Sequence, residues 1–441
     1  MERYEAYKYS GVEWIGEIPE EWETLRLKNV ALILRGGSPR PIEDFIAEAD
    51  DPNSFNWIKI GDTEKDGKYI RNCKQKIIAD GCAKSRAVHR GDLLLTNSMS
   101  FGRPYILELD GYIHDGWVCF ANIKSVSPEY LYYCLLSEYC THQFDLMVDG
   151  GVVKNLNVDK IGSATIFLPS QKEQQAIADY LDAKTAEVDA LVADCEREVG
   201  LLREYRKAVI SEAVTKGLDP DAPMKRSGSK WVSEIPENWD VIPLKHFSKL
   251  ITDGVHQTPE YTDEGIPFLS IKDMSNGTIS FEDRKYISYA QHLELSKHAP
   301  IEEGDLLFAR IGTLGVTVVV KDCPTFDIFV SLGLIKLKGG AINGDYLAYC
   351  MNSDYYCSYI QTVKAGGGTA AAKYNLGEVS RSPIIQPPPE EQEKIVAYLD
   401  AKTAEIDSLI EEKQEMADKL REYRKSLISE AVTGKFKVPG V

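Results

Sequence analysis

Two stretches of the chain combine polar side chains with glycines that allow tight backbone turns. Residues 35–40 read RGGSPR, and residues 251–259 read ITDGVHQTP at the matching place of a second, similar segment. Further polar loops follow the two GDLL runs, at 96–103 and 309–315. Their Arg, Lys, Asn, Ser, Thr, Gln and His side chains are types that reach base edges and phosphates. Two similar scaffolds with different polar loops are suited to present two different binding surfaces.

Motifs for catalysis or metal binding are absent from the sequence. There is no GxxxxGK(S/T) phosphate loop, (D/N)PP(Y/F) methyltransferase motif, GxSxG elbow, HExxH or EF-hand loop. The seven histidines are dispersed, with no two four residues apart. His256, beside Thr252 and Asp253, is the one candidate for catalysis, but a histidine in such a loop is more often a hydrogen-bonding or turn residue. We therefore expect no catalytic residues and no metal ligands.

Composition sets further limits on the chain. Its 441 residues predict two or more domains, and 43% apolar content is ordinary for a soluble protein. Nine scattered cysteines without a CxxC pair favour reduced thiols. No apolar run is long enough for a membrane span and MERYEAYKYSG has no signal-peptide core, so a cytoplasmic location is expected. The net charge of −17 is spread along the chain, so DNA contacts would require local basic patches or a basic partner.

An internal repeat must position the polar loops. Tyr180–Gly217 recurs 218 residues later as Tyr398–Lys435, with most positions identical. Apolar residues at spacings of three and four predict long amphipathic helices, and Ser170–Glu173 and Pro387–Pro389 are helix-start patterns. A helix of roughly 45 residues is about 65 Å long. Since neither could bury its apolar stripe alone, we expect the two helices to pack on each other rather than form a generic coiled-coil strut.

The predicted helix–helix interface consists of the largest apolar residues in each repeat. They are Ile177, Leu181, Val188, Leu191, Leu202, Tyr205, Val209, Ile395, Leu399, Ile406, Leu409, Met416, Leu420, Tyr423 and Leu427.

A second repeated motif precedes each body. WIGEIPEEW (14–22) and WVSEIPENW (231–239) place paired tryptophans around an Ile-Pro turn, suited either to docking on an apolar surface or to plain core packing. Within the first body the sequence predicts a helix near 25–34 and strands at 56–60, 92–96 and 117–123.

These residues resemble one family, the specificity subunit of type I restriction-modification systems. The resemblance covers nearly the whole chain. It rests on the two tryptophan motifs, on LPSQKEQQAIADYLDAKTAEVDALV and EEQEKIVAYLDAKTAEIDSLI, and on REYRK…ISEAVT in both copies. The stretch ITDGVHQTPEYTDEGIPFLSIKDM also looks like a recurring type of second recognition domain.

The resemblance implies an α+β fold of two α/β target recognition domains joined by two long helices. The helices would form an antiparallel coiled coil with an internal pseudo-two-fold repeat. We expect a first recognition domain at 1–170, a first spacer helix at 171–217, a linker and second recognition domain at 218–389, and a second spacer helix with a C-terminal tail at 390–441.

The resemblance also implies a function. Each domain would read one half of a bipartite, asymmetric site in double-stranded DNA, and the helices would carry two modification (methyltransferase) subunits joined by restriction subunits. S-adenosylmethionine, Mg²⁺ and ATP would belong to those partners, so no cofactor is expected in this chain. The alternative is a coiled-coil assembly protein with two ligand-binding bodies and no DNA role, which only the acidity favours.

The expected DNA-contacting residues are matched loop positions, each of which could instead be a solvated loop residue. In the first domain they are Arg35, Ser38, Arg40, Asn97, Ser98, Ser100, Arg103, Lys154 and Asn155. In the second they are Thr252, His256, Gln257, Thr258, Tyr261, Lys272, Arg310, Thr313, Lys373, Tyr374 and Asn375.

Overall fold

The computed structural model describes residues 2–48, 51–64, 67–97, 102–147, 157–274, 278–312, 314–366 and 372–441. The chain divides into two compact units, each with helices and sheets. The first contains Met1–Glu196 and Glu415–Val441, and the second contains Arg197–Gln414. In the described residues no helix is both long and apolar enough to cross a membrane.

The first unit is built from thirteen described strands and five short helices. The strands are Tyr7–Tyr9 (β1), Glu17–Pro19 (β2), Glu23–Arg26 (β3), Leu32–Arg35 (β4), Phe55–Ile58 (β5), Tyr69–Ile70 (β6), Gln75–Ile77 (β7), Arg86–Val88 (β8), Leu93–Thr96 (β9), Pro104–Leu107 (β10), Gly111–Ile113 (β11), Trp117–Ala121 (β12) and Thr165–Leu168 (β13). The short helices are Leu27–Val30 (α1), Ala79–Cys82 (α2), Pro128–Leu136 (α3), Glu138–Met147 (α4) and Val158–Ser163 (α5).

The second unit follows the same plan. Its described strands are Met224–Arg226 (β14), Glu234–Pro236 (β15), Asp240–Pro243 (β16), Ser248–Asp253 (β17), Tyr261–Thr262 (β18), Ile266–Leu269 (β19), Lys285–Ile287 (β20), Leu306–Ala309 (β21), Thr317–Val319 (β22), Asp327–Ile328 (β23), Leu332–Leu337 (β24) and Pro383–Gln386 (β25). Its short helices are Tyr289–Leu295 (α7), Gly344–Met351 (α8), Asp354–Val363 (α9) and Leu376–Arg381 (α10).

Two long helices contribute to both units. They are Gln171–Lys216 (α6) and Pro389–Val432 (α11), and the division between the units falls inside each of them.

Two sheets form each body, and three of the four are mixed, whereas the larger sheet of the second unit is antiparallel throughout. In the first unit the strand orders are β4-β12-β9-β10-β6 and β7-β5-β11-β8. In the second unit they are β17-β24-β21-β22 and β18-β20-β19-β23. Apolar residues of both sheets, among them Ile58, Leu94 and Trp117, form one small core in the first body. Leu269, Leu307 and others form the equivalent core in the second.

The strands predicted near 56–60, 92–96 and 117–123 are confirmed as β5, β9 and β12. The helix predicted near 25–34 is wrong. Only α1 (Leu27–Val30) is helical there, between β3 and β4. Strand β3 pairs with β13 and β4 pairs with β12, so partner strands distant in sequence override the local helical pattern.

The second tryptophan of each repeated motif belongs to the core of its unit. Trp22 and Trp239 are buried, and each indole N–H donates to a glutamate in the first turn of a long helix. The acceptors are Glu173 at 3.2 Å and Glu391 at 2.6 Å. The helix dipole stabilises a carboxylate at the helix N-terminus. Each indole therefore ties its body to the start of a long helix through a glutamate that is already favoured at that position.

Two rows of buried and half-buried positions recur every seven residues along the two long helices, and further buried residues lie near the helix ends, where the bodies pack. In α6 the two rows are Gln174, Leu181, Val188, Cys195, Leu202 and Val209, with Ala178, Thr185, Val192, Val199, Arg206 and Ala213. In α11 they are Gln392, Leu399, Ile406, Lys413, Leu420 and Leu427, with Val396, Thr403, Ile410, Ala417, Arg424 and Ala431. This spacing is the pattern of left-handed supercoiled helices.

Eight of the fifteen predicted interface residues occupy this heptad, Ile177 and Ile395 are buried outside it, and the other five are exposed. Leu191, Tyr205, Leu409, Met416 and Tyr423 are between 39% and 51% exposed. The buried stripe passes instead through the residue after each, where valine, isoleucine, alanine or arginine stands. At these five positions the predicted stripe is therefore displaced by one residue.

Within each unit one bidentate ion pair joins the two helices. In the first unit Arg424 Nε lies 2.8 Å from Asp189 Oδ1, and in the second Arg206 Nε lies 2.8 Å from Asp407 Oδ1. The second pair is the repeat equivalent of the first, with the helices exchanged. Fork-to-fork contacts of arginine with carboxylate are geometrically demanding, so they fix the helix register locally.

Each body also packs on the C-terminal end of one long helix. In the first unit the Glu138 backbone N–H donates to Ser429 Oγ at 2.9 Å. In the second unit the Asp354 N–H donates to Ser211 Oγ at 2.8 Å. The same contact therefore occurs once in each unit, between equivalent residues.

Substitution at the buried heptad should be far more destabilising than substitution beside it. Leu399→Ala removes a fully buried side chain from the core of the second unit and is expected to lower the free energy of unfolding by about 2–5 kcal/mol. Leu409→Ala, at a half-exposed position, should change it by less than about 0.5 kcal/mol. Urea titrations followed by circular dichroism give both values; similar losses for the two variants would contradict the heptad.

Candidate nucleic-acid interface

The polar loops of the first unit meet at one edge of its larger sheet. In the strand register Val118 pairs with Arg35 and Trp117 pairs with Thr96. The chain therefore leaves β4 and β9 and enters β12 at the same edge. We call this surface the first edge: residues 35–40, Asn97, Arg103 and 114–116.

The second unit repeats this arrangement. Gly333 pairs with Asp253 and Leu332 pairs with Ala309, so β17 and β21 end where β24 begins. We call this surface the second edge: residues 252–261, 310–312 and 329–331. By register, Arg35 corresponds to Asp253, and Asn97 corresponds to Arg310.

Glycine is required at the same point of both edges. A Cβ on Gly36 would lie 1.9 Å from the carbonyl oxygen of His114, and a Cβ on Gly254 would lie 2.1 Å from that of Ile328. Both distances are shorter than any real contact, so the backbone of each loop passes against the neighbouring segment only because no side chain is present.

Asp115 connects the loops of the first edge. Ser38 Oγ donates to Asp115 Oδ1 at 2.8 Å, and Arg40 Nη2 lies 3.2 Å from Asp115 Oδ2. The hydrogen bond from Ser38 lowers the pKa of Asp115, so this carboxyl group is ionised at neutral pH. Burial lowers the pKa of the adjacent His114, whose Nδ1 accepts the Gly116 N–H at 2.9 Å.

Asp253 has the corresponding role on the second edge. Its Oδ2 atom lies 3.1 Å from His256 Nε2 and also contacts the guanidinium of Arg310. Its Oδ1 atom lies 3.6 Å from His298 Nε2, which is 3.2 Å from Thr252 Oγ1. One carboxylate thus contacts side chains from three separate segments.

Most of the other predicted residues lie at the surface. Exposed side chains are those of Arg35, Gln257, Thr258, Lys373 and Asn375. Tyr261 is partly exposed, and Lys285 Nζ lies 4.0 Å from its ring centre. Lys272 is exposed and donates to the carbonyl oxygen of Asp283 at 3.0 Å.

Besides Ser38 and Arg310, which are half-buried, four predicted residues are buried or half-buried. Asn97 and Thr252 are buried at their edges, and Arg103 lies half-buried with its guanidinium 5.6 Å from the ring centre of Tyr105. Tyr374 is fully buried, and its hydroxyl lies 3.2 Å from that of Tyr356. Because Tyr374 packs in the core against Phe308, the expectation that its side chain contacts DNA is wrong in this arrangement.

Five predicted residues fall outside the described residues: Ser98, Ser100, Lys154, Asn155 and Thr313.

Three residues that join the loops within an edge were not predicted from the sequence. They are Asp115 on the first edge, and Asp253 and His298 on the second. Acidic side chains are not expected on a surface that faces phosphates, and His298 lies 45 residues from Asp253 in the chain. The position of Asp253 immediately before the loop glycine was the available indication.

Comparison with known proteins agrees with this architecture. The family model described as the type I restriction modification DNA specificity domain matches residues 19–194 and again 236–418. The type I restriction enzyme MjaVIII specificity subunit of Methanocaldococcus jannaschii is 23% identical over 429 residues, covering 96% of this chain and 94% of that protein.

Two solved structures share the fold. One, from work on complex assembly and conformational transition of the type I R-M system, has a TM-score of 0.70 at 18% identity and covers 95% of this chain and 99% of that chain. The other, the HsdS subunit of Thermoanaerobacter tengcongensis, has a TM-score of 0.51 at 18% identity and covers 95% and 98%. The two matches together cover most of this chain. The chain therefore belongs to the type I restriction modification DNA specificity family and carries two copies of the domain that defines it.

Proposed function

We propose that this chain is the DNA sequence-specificity subunit of a type I restriction-modification complex and reads a bipartite, asymmetric site. The observation that carries the proposal is that the two edges share one scaffold and differ in their side chains. Arg35, Ser38 and Asn97 on the first edge correspond to Asp253, His256 and Arg310 on the second. Different donors and acceptors at equivalent positions read different bases, so the two half-sites differ.

The two recognition domains are proposed to span 1–170 and 218–389, with 171–217 and 390–441 as spacer helices. We further propose that the helices pair antiparallel along their length, related by a pseudo-two-fold axis, and so fix the length of the unread gap. The equivalent pairs Arg424–Asp189 and Arg206–Asp407 support this arrangement, as does the shared heptad.

The acidic composition requires a basic partner. With a net charge of −17 the chain repels DNA at long range, and neutralising phosphates supplies much of any protein's affinity for DNA. We propose that modification subunits supply most phosphate contacts, whereas this chain supplies the base contacts. The complex would work in the cytoplasm with two modification subunits and with restriction subunits, and methyl transfer and cleavage would take place on those partners.

The exposed residues beside the heptad are the proposed docking surface for the modification subunits. In the second unit Leu409 and Tyr205 are exposed large apolar residues of the two helices, and in the first Leu191 and Tyr423 are their repeat equivalents. We call each set a ridge. Exposed tyrosines are typical anchors of protein interfaces, and the leucine beside each tyrosine adds apolar area to the same surface.

Gel shifts on a randomised duplex library, with and without the modification subunit, test the proposal. We expect tight, sequence-selective binding only with the modification subunit, and one bipartite motif among the selected duplexes. Binding without sequence preference in both conditions would contradict it. Methyl transfer by the purified chain alone would contradict the assignment of catalysis to the partners.

A further inference from the structure

Each edge contains an aspartate, although a surface that binds DNA phosphates is expected to avoid negative charge. A carboxylate close to DNA is repelled by the phosphates, so it weakens binding unless it is neutralised or needed for something else. The Asp115 side chain is 41% exposed, and that of Asp253 is 7% exposed. Each is in contact with an arginine of its own edge.

We infer that Asp115 and Asp253 are the positioning residues that set base preference, each for the half-site read by its own edge. The inference rests on the proposed function and adds to it the residues that hold the base-contacting side chains in place. Neither aspartate needs to touch DNA: each acts through the side chains that it holds.

On the second edge one aspartate, Asp253, positions three side chains. Asp253 ends β17, Arg310 follows β21, and His298 follows helix α7. Asp253 Oδ2 contacts His256 Nε2 and the guanidinium of Arg310, and Asp253 Oδ1 lies near His298 Nε2. The three side chains would otherwise have independent rotamers, so one buried carboxylate fixes their mutual placement.

The groups held by Asp253 keep free donors. A guanidinium has five N–H donors, and Arg310, whose side chain is 15% exposed, contacts Asp253 through Nη1. His256 uses Nε2 on the carboxylate, which leaves Nδ1 of its exposed ring for a base edge. An arginine held in this way can address guanine in a fixed direction.

The first edge uses the same principle with a looser geometry. Asp115 Oδ1 accepts the Ser38 hydroxyl, and its Oδ2 faces Arg40, whose side chain is 81% exposed. An exposed arginine that is free to move can turn toward an acceptor on the wrong base, which narrows the difference in affinity between right and wrong sequences. Holding it beforehand improves discrimination between bases.

The test uses the full chain with its modification subunit and a library in which one half-site is randomised at a time. For D253N we expect base discrimination to fall at least about tenfold at the second half-site, with the first half-site unchanged. For D115N we expect the reverse. The unaffected half-site in each variant is the internal control.

D305N is the matched control for structural damage. Asp305 is buried in the same body at the opposite end of β21 and bonds to Lys336 Nζ at 2.6 Å. We expect D305N to lower the melting temperature and leave the preferences at both half-sites intact. H256Q, at a side chain that is 67% exposed, tests the second edge without altering a buried carboxylate, and should also relax only the second half-site.

The outcomes separate the two claims. Wild-type protein without any sequence preference would overturn the proposed function, and this inference with it. Wild-type selectivity with unchanged preferences in D115N, D253N and H256Q would overturn the inference alone. So would a loss of base preference in D253N that was equal at both half-sites.

Discussion

A chain shortened to residues 1–217 is expected to form a homodimer that reads a palindrome made of the first half-site twice. This segment holds one recognition body and all of α6. In the full chain Arg424 pairs with Asp189, and Arg206 is the repeat equivalent of Arg424. In the homodimer Arg206 of each copy can therefore pair with Asp189 of the other. Light scattering gives the mass, and selection from a random duplex library with the modification subunit gives the site.

The shortened chain should also lose the natural site. Each mismatched base pair costs about 1–3 kcal/mol, so a wrong half-site of two or three base pairs should weaken binding by roughly a hundredfold or more. R206A in the shortened chain is the control, because it removes both interhelical ion pairs and should weaken the dimer. A stable monomer, or a dimer that still selects the asymmetric site, would count against the pseudo-two-fold arrangement.

Placing charge on one ridge is expected to remove one modification subunit from the complex. The double variant Tyr205→Glu and Leu409→Glu alters only exposed positions of the second unit, so the fold should tolerate it. Interface anchors of this type contribute about 2 kcal/mol or more each, so affinity for that subunit should fall at least a hundredfold. Native mass spectrometry should then show one modification subunit per chain instead of two.

The companion variants make this result specific. Leu191→Glu with Tyr423→Glu, on the ridge of the first unit, should give the same stoichiometry, and all four substitutions together should give a chain that binds none. Leu293→Glu, at a position 49% exposed on α7 and on neither long helix, should keep two subunits. Full binding by the four-fold variant would show that the modification subunits dock elsewhere.

Much of the architecture could be predicted from the sequence because it is encoded in repetition. The 218-residue offset between Tyr180–Gly217 and Tyr398–Lys435, with apolar spacing of three and four, predicts two similar long helices, and α6 and α11 are present. Loop glycines were equally informative: Gly36 and Gly254 stand where the backbone leaves no space for a side chain.

The rest depends on long-range pairing that a linear pattern does not show. The short run at 25–34 became two strands around a single helical turn, because β13 and β12 supply partners from distant positions. The predicted stripe was misplaced by one residue at five positions, and at two of them the buried place is taken by an arginine paired with an aspartate. The role of Asp253 was hidden because its partners His298 and Arg310 come from other segments.

The most direct test of the central claim is methylome sequencing of a host that expresses this chain together with its modification subunit. The account predicts one methylated motif composed of two different short sequences separated by a gap of fixed length and free composition. A continuous motif, two identical halves, or methylation that does not depend on the presence of this chain would contradict it.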